Sequence, residues 1–213
     1  MNLLTSYRWL REYVDLGKTT AEEFAERVSL SGPGVEQLIP QGKDLENIVI
    51  GKILRIEEHP KAQKLRLPIV DIGGRELTIV CGGTNIVEGQ LVAVALVGAS
   101  VRWHGEGELI VLEPIEIRGV KSEGMICAAN EIGLFDAFPH GDGEILDLGK
   151  SIPELSVGLG TPLADALGLS DDTVMDIEVT TNRPDAMGMV GMAREASAIL
   201  DADFTWKAPK LPS

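Results

Sequence analysis

The sequence predicts an α+β protein in which a small β-barrel or sandwich lies between two other pieces of chain. Three observations predict it. The first 39 residues place apolar groups at helical spacing between capping signals. Residues 40–150 are cut by Gly and Pro into short apolar runs at regular intervals. The end of the chain carries one alternating run followed by one helical run.

Taken in order, Ser6 is placed to cap a first helix in which Trp9, Leu10, Tyr13 and Val14 share a face, and Gly17 stops it. Thr20, with Glu23 three residues on, forms a capping box for a second helix. That helix turns Phe24, Val28 and Ala21 inward, and Gly32 ends it. Two short helices bury too little to stand alone. They are therefore expected to pack on a later strand, Val174 to Val179, and a later helix, Met187 to Leu200.

Strands are expected over Ile48–Ile50 leading into Lys52–Ile56, then Leu65–Ile72, Glu76–Val80, Leu91–Val97, Ile110–Ile117 and Gly124–Ala128. His59-Pro60, Gly73-Gly74, Glu88-Gly89-Gln90 and Gly98 are the turns between them. Pro68 and Pro114 are then expected at sheet edges or bulges. Thr173–Thr180 alternates as a strand, and Asp185 is placed to cap the helix after Asn182-Arg183-Pro184-Asp185. Val190, Ala193, Ala196, Ile199 and Leu200 form that helix's inner face. Residues 201–213 carry no core pattern and read as the start of a connection.

Of the 213 residues, 44% are hydrophobic, so there is ample material for a core and global disorder is excluded. No apolar run reaches the ~18 residues of a membrane span. The opening stretch carries charges inside its apolar run, unlike a secretory signal. Two cysteines make no disulfide framework, and free thiols without metal in a reducing, cytoplasmic setting are expected. His59, His104 and His140 have no metal-ligand spacing, and Gly82-Gly83-Thr84-Asn85 lacks the Lys of a phosphate loop. No nucleophile–base pair is visible, so no catalytic residue is assigned.

A formal net charge of -14, from 33 acidic and 19 basic residues, argues against non-specific binding to DNA or to an anionic membrane. Residues 1–39 carry -2, residues 40–150 carry -6 and residues 151–213 carry -6. Within this acidic chain, His59-Pro60-Lys61-Ala62-Gln63-Lys64-Leu65-Arg66 sets three permanent cations on one turn and strand start. Arg55, Arg102, Arg118 and Lys121 fall in the same segment. Such a stripe can track a phosphate backbone. The alternative is a solvated turn balanced by Glu57 and Glu58. Only Trp103, Phe135 and Phe138 supply aromatic rings between residues 40 and 150, too few for a platform that stacks a single strand. Any RNA bound is therefore expected to be folded, and held through shape, backbone and 2'-hydroxyl contacts.

Three strings then make a resemblance. They are His59-Pro60-x-Ala62-x-Lys64-Leu65, Ile79-Val80-Cys81-Gly82 with Asn85, and Ile117-Arg118-Gly119-Val120-x-Ser122-x-Gly124-Met125. Together they resemble the tRNA-binding OB domain that is appended to several synthetases and also occurs free-standing. The flanks are similar to the N-terminal part of the bacterial phenylalanine–tRNA ligase beta subunit. They are Trp9-Leu10-Arg11-Glu12-Tyr13-Val14, Gly34-Val35-Glu36, Thr181-Asn182-Arg183-Pro184-Asp185 and Gly191-x-Ala193-Arg194-Glu195.

The resemblance implies a five-stranded OB-type β-barrel, residues 40–151, inserted into a small discontinuous α+β domain of residues 1–39 plus 152–200. Residues 201–213 would lead toward downstream domains. It implies a non-catalytic accessory segment with a scaffold role, in an enzyme that attaches phenylalanine to its tRNA using ATP and magnesium, with no cofactor in the segment itself. The implied tRNA-binding residues are Lys61, Lys64, Arg66, Asn85, Arg118, Lys121 and Ser122. The implied partners are tRNA and the alpha subunit, reached through regions partly outside this chain, and no membrane or DNA. Two alternatives stand beside it, a stand-alone tRNA-binding protein and a purely structural OB module. The stretch Glu106 to Glu113 is acidic where the family is usually rich in Lys, and Ala186 stands where the family commonly has a cysteine. The first departure is expected to hold RNA affinity down, and the second reads as a packing change.

Overall fold

The computed structural model describes residues 1–208. Along the chain run β1 (Asn2–Ser6), α1 (Tyr7–Leu10), α2 (Ala21–Ser31), β2 (Gly34–Pro40) and β3 (Ile48–Glu58). Then follow β4 (Arg66–Asp71), β5 (Glu76–Thr78), β6 (Leu91–Ala95), β7 (Ser100–Arg102), β8 (Leu109–Val111), β9 (Ile115–Ile117), β10 (Val120–Ser122) and β11 (Met125–Ile126). The chain continues with α3 (Leu148–Ser151), α4 (Leu163–Ala166), β12 (Thr173–Glu178) and α5 (Met189–Leu200). The protein is thus mixed α+β with mostly β content. It divides into two compact units, one of Met1–Gln41 with the chain from Ser170 on, the other of Gly42–Leu169.

The smaller unit has a three-stranded antiparallel sheet, order β1-β12-β2. β1 is absent from the sequence reading because its pattern is inverted: Leu4 is 65% exposed while Thr5 is fully buried. Ser6 does cap α1, accepting the Trp9 N–H at 3.0 Å, but α1 is a single turn. Trp9 consequently points outward, 51% exposed, and Tyr7 takes its place inside, edge-on to Phe24 with ring centroids 5.6 Å apart. The Thr20–Glu23 capping box forms in both directions, and Ala21, Phe24, Ala25 and Val28 line the buried face of α2. One core joins Leu10, Phe24 and Val28 to Met175, Ile177 and Val179 of β12 and its end, and to Met192, Ala193 and Ala196 of α5.

Two local devices hold the end of this unit. Asp185 does not cap α5. It accepts from Arg183 at 2.9 Å, and the same guanidinium grips Glu195 on α5 at 2.6 and 3.2 Å. These carboxylates hold Arg183 still more firmly protonated, and Arg183 holds the Asp185 carboxyl below its ordinary range. Gly191 permits the close approach, since a Cβ there would lie 1.8 Å from the Asp185 carbonyl oxygen. Residues after Asp201 are more than a bare connection: Thr205 N–H donates to Tyr13 O at 2.7 Å, and Arg194 lies over the rings of Phe204 and Trp206. The rest of the expected connection, residues 209–213, lies outside the described residues.

The larger unit is built on a five-stranded antiparallel sheet, order β11-β6-β3-β4-β5. Both faces are covered, which explains the near-continuous apolar runs. In β6, Ala93 and Ala95 face one core with Ile48, Ile50 and Leu148, while Val92 and Val94 face a second with Ile53, Val70, Leu77 and Ile79. Among the described residues the hydrogen-bond ladder does not close into a barrel. β5 and the chain just after it are instead tied to the end of β10 and the residue after it, just before β11, by single bonds, Glu123 N–H to Thr78 O at 3.0 Å and Val80 N–H to the Ser122 hydroxyl at 3.0 Å.

Several boundaries differ from the sequence reading. Pro68 lies within β4, not at an edge. It cannot donate to Ile79 in return for the bond it accepts, so β5 stops at Thr78 and pairing resumes only at Cys81. Pro114 falls outside any strand and splits the expected Ile110–Ile117 run into β8 and β9. Residues 152–169, expected with the small domain, fold with the larger unit instead. Leu163 is fully buried in its core, and Ile50 exchanges hydrogen bonds with Gly160 and Thr161.

Candidate nucleic-acid interface

The basic turn begins where β3 ends. His59 is buried, and its ring is used on both sides. Nδ1 accepts the Lys61 N–H at 3.1 Å, which leaves the proton on Nε2, 3.2 Å from the Ile117 carbonyl oxygen it donates to. One imidazole thereby shapes the Lys61–Arg66 turn and ties it to β9.

β9 and β10 form a hairpin whose two loop residues are Arg118 and Gly119. Both have positive φ, +50° and +89°, the geometry that matches the twist of a two-residue hairpin. A Cβ on Gly119 would come within 3.0 Å of Lys61 Nζ, so the Lys61 ammonium rests over this turn. Lys64, Arg66, Arg118 and Lys121 are exposed, Lys121 lying opposite Glu116 in the ladder. Among the described residues none of these five cations makes an ion pair. Arg55 and Arg102 are occupied elsewhere, Arg55 by Glu57 and Glu76, Arg102 by the Gly107 carbonyl.

Two of the residues singled out from the sequence spend their polar atoms inside the fold. The Ser122 hydroxyl is buried, accepts from Val80 and donates to Gly124 O at 2.9 Å. The Asn85 amide donates to Ile145 O at 2.9 Å and accepts from Ile145 N–H at 2.8 Å. The structure thus brings Lys61 onto the Arg118–Gly119 turn, leaves Lys64, Arg66 and Lys121 exposed, and gives Asn85 and Ser122 bracing work.

A cavity of about 480 Å³ opens beside the turn and was not legible in the sequence. Leu65 and Ile117, the chain neighbours of Lys64, Arg66 and Arg118, form part of its wall. Trp103, Phe135, Asn130 and Glu131 are on other walls. Trp103 and Phe135 are 46% and 45% exposed, each edge-on to a histidine, His104 and His140. Glu131 is nearly buried and accepts the Ala128 N–H at 2.8 Å, and burial pushes its carboxyl above the ordinary range. Cys81, also on the wall, and Cys127 are buried free thiols. Burial pushes both thiols up, away from the thiolate form that makes a nucleophile. Among the described residues no three His, Cys, Asp or Glu side chains are grouped to hold a metal ion, and no helix is long and apolar enough to cross a membrane.

Comparison with known proteins follows this geometry. The family described as a putative tRNA binding domain matches residues 48–154. The phenylalanine–tRNA ligase beta subunit of Salinibacter ruber is 38% identical over 218 residues, 98% of this chain and 25% of that one. Those of Oceanobacillus iheyensis and Geobacillus kaustophilus are 38% and 39% identical, over 93% and 94% of this chain and 24% of each relative. The chain spans about a quarter of the length of these relatives.

Proposed function

We propose, because this chain belongs to the putative tRNA binding domain family, that it is the tRNA-contacting, non-catalytic segment of a phenylalanine–tRNA ligase beta subunit. On this reading the larger unit is an OB-type barrel, its edges joined through Ser122 and Glu123 rather than by a full ladder. The smaller unit acts as a scaffold. The complete enzyme joins phenylalanine to its tRNA in the cytoplasm with ATP and magnesium, and pairs with an alpha subunit. No step of that chemistry is placed on this segment.

The observation that carries the reading is Lys61 set over the Arg118–Gly119 turn and fixed by the buried His59; with the exposed Lys64, Arg66 and Lys121 it is read as one cationic ridge. Unpaired cations are free to neutralise phosphates, and the braced turn under Lys61 lowers the backbone part of the ordering cost of binding. Asn85 and Ser122 contribute by holding the strands and loops behind the ridge.

A second reading, a scaffold that binds no RNA, is favoured by one observation, the acidic Glu106-Gly107-Glu108 tip of the β7–β8 hairpin. Titration of tRNA and of an unstructured oligonucleotide at low and moderate salt decides between them. Weak tRNA binding is expected, with a log–log salt slope of roughly -0.7 to -0.9 per phosphate contact. A Lys61→Glu/Lys64→Glu double variant should bind at least ~10-fold more weakly. Equal binding by that variant, or preference for the unstructured strand, moves the site elsewhere. No binding at low salt selects the scaffold.

A further inference from the structure

We propose that the cavity beside the ridge receives one nucleobase, turned out of the RNA whose backbone lies on Lys61 and Arg118. This rests on the reading of the ridge as an RNA surface and adds what the ridge alone cannot supply, a contact to a base.

Position is the first argument. Leu65 and Ile117 line the cavity, while Lys64, Arg66 and Arg118, their immediate chain neighbours, are exposed outside it. A phosphate held by these cations would therefore lie beside the cavity wall. Size is the second: about 480 Å³ holds a base and its ribose with room for water.

Chemistry is the third. Trp103 and Phe135 offer half-exposed ring surfaces, the surfaces on which bases stack. They are two rings on one cavity, not a row, which suits a single extruded base from a folded RNA and not a running strand. The polar side chains on the lining are Asn130, Glu131, Asp142 and Glu144, together with His104 and His140. Carboxylates repel phosphate and accept N–H groups. The interior thus favours a base edge carrying N–H donors, such as guanine, and leaves the phosphates outside among the lysines and arginines. The two charge environments divide one nucleotide between them.

The test uses the whole chain with Trp9→Phe and Trp206→Phe, so that Trp103 is the one indole. Guanosine, guanosine 5'-monophosphate and ribose 5-phosphate are titrated against its fluorescence, and tRNA binding is measured in parallel for Phe135→Ala and Trp103→Ala. Both rings are about half exposed, so loss of either is not expected to unfold the unit. The expected result is saturable quenching by the nucleoside and nucleotide and none by ribose 5-phosphate. Each ring variant should also bind tRNA roughly 10-fold more weakly at unchanged salt slope. If the parent protein binds tRNA but both variants bind equally well, the pocket proposal fails and the ridge reading stands. Quenching by nucleotide with unchanged tRNA affinity would reassign the cavity to a free nucleotide and overturn the RNA part. No tRNA binding by the parent protein at low salt overturns the ridge reading and this one with it.

Discussion

The two hairpins of the larger unit, β9–β10 and β7–β8, have the same length of ladder and opposite characters. Each pairs three residues with three. The first ends in Arg118–Gly119 and is tied down beside that tip, at Ile117, by a buried histidine. The second ends in Glu106-Gly107-Glu108 and is latched by an exposed arginine, Arg102 to Gly107 O at 2.9 Å. Its strand β8 leaves Leu109, Ile110 and Val111 exposed. Yet both hairpins reach the same cavity, one through Ile117, the other through Trp103 and His104 in the loop that follows β7. The lesson is that hairpin geometry is common property. What distinguishes the two is the sign of the tip and the burial of its anchor.

The largest effect should come from that anchor. His59→Ala removes a buried ring and two hydrogen bonds, and leaves the Ile117 carbonyl without its partner. We expect a loss of about 2–3 kcal/mol in urea unfolding. Weaker tRNA binding should accompany it, although no permanent charge has been removed. Arg102→Ala, the matching change on the other hairpin, should stay within about 0.5 kcal/mol because its bond is exposed. Equal losses in the two variants would erase the distinction.

Charge comes next. Glu106→Lys/Glu108→Lys converts the acidic tip to a basic one. On the proposed reading it should tighten tRNA binding about 10-fold at low salt, or about 1.4 kcal/mol. The gain should largely vanish near 1 M salt, where the screening length is about 3 Å. A gain that survives high salt would mean the tip touches RNA directly rather than repelling it from a distance.

Which parts of this were readable beforehand follows from the range of the forces involved. The Thr20–Glu23 box, the inner face of α2 and the Lys61–Arg66 turn are local, set by residues within one or two turns of chain, and each stood in the sequence. β1 was not, because Thr5 is buried and Leu4 exposed against the sense of the pattern. It is a strand only by virtue of β12, more than 160 residues away. The Asn182-Arg183-Pro184-Asp185 string drew notice as a motif, but its partner Glu195 could not be assigned without the α5 packing. The ridge was half legible: its charges stood in the string, and its bracing by His59 and Gly119 did not. The cavity depends on Trp103, Glu131 and Phe135 converging from separate turns, which no spacing encodes.

Arg118→Gly separates stability from binding at the better anchored tip. Arg118 adopts φ +50°, a left-handed conformation that strains a side chain and suits glycine. The variant should be more stable by roughly 0.5 kcal/mol, after the greater flexibility of glycine in the unfolded chain is subtracted. It should bind tRNA less tightly, with the salt slope smaller by about one contact. On the proposed reading, an arginine kept at an unfavourable φ, with no ion pair among the described residues, is held for binding at the expense of stability.

The smallest effect concerns the cavity wall that the two hairpins share. Burial holds the Glu131 carboxyl above its ordinary range, so in the folded state it keeps its proton where the unfolded chain has lost it. The contribution to stability is therefore full below the unfolded value of about 4.3 and is lost as pH rises through the folded value. Glu131→Gln removes that titration, while its amide oxygen can still accept the Ala128 N–H. The variant should match the parent protein near pH 4 and exceed it near pH 7, by less than about 1 kcal/mol. The other carboxylates titrate in both proteins and cancel in the difference. The raised thiols of Cys81 and Cys127 remain protonated throughout this range. Urea midpoints of the two proteins, measured in parallel at the two pH values, check this. A variant that is less stable at pH 7 would mean that the ionised carboxylate is held by its neighbours more strongly than burial opposes it. The cavity would then favour a charged acceptor even before a ligand arrives.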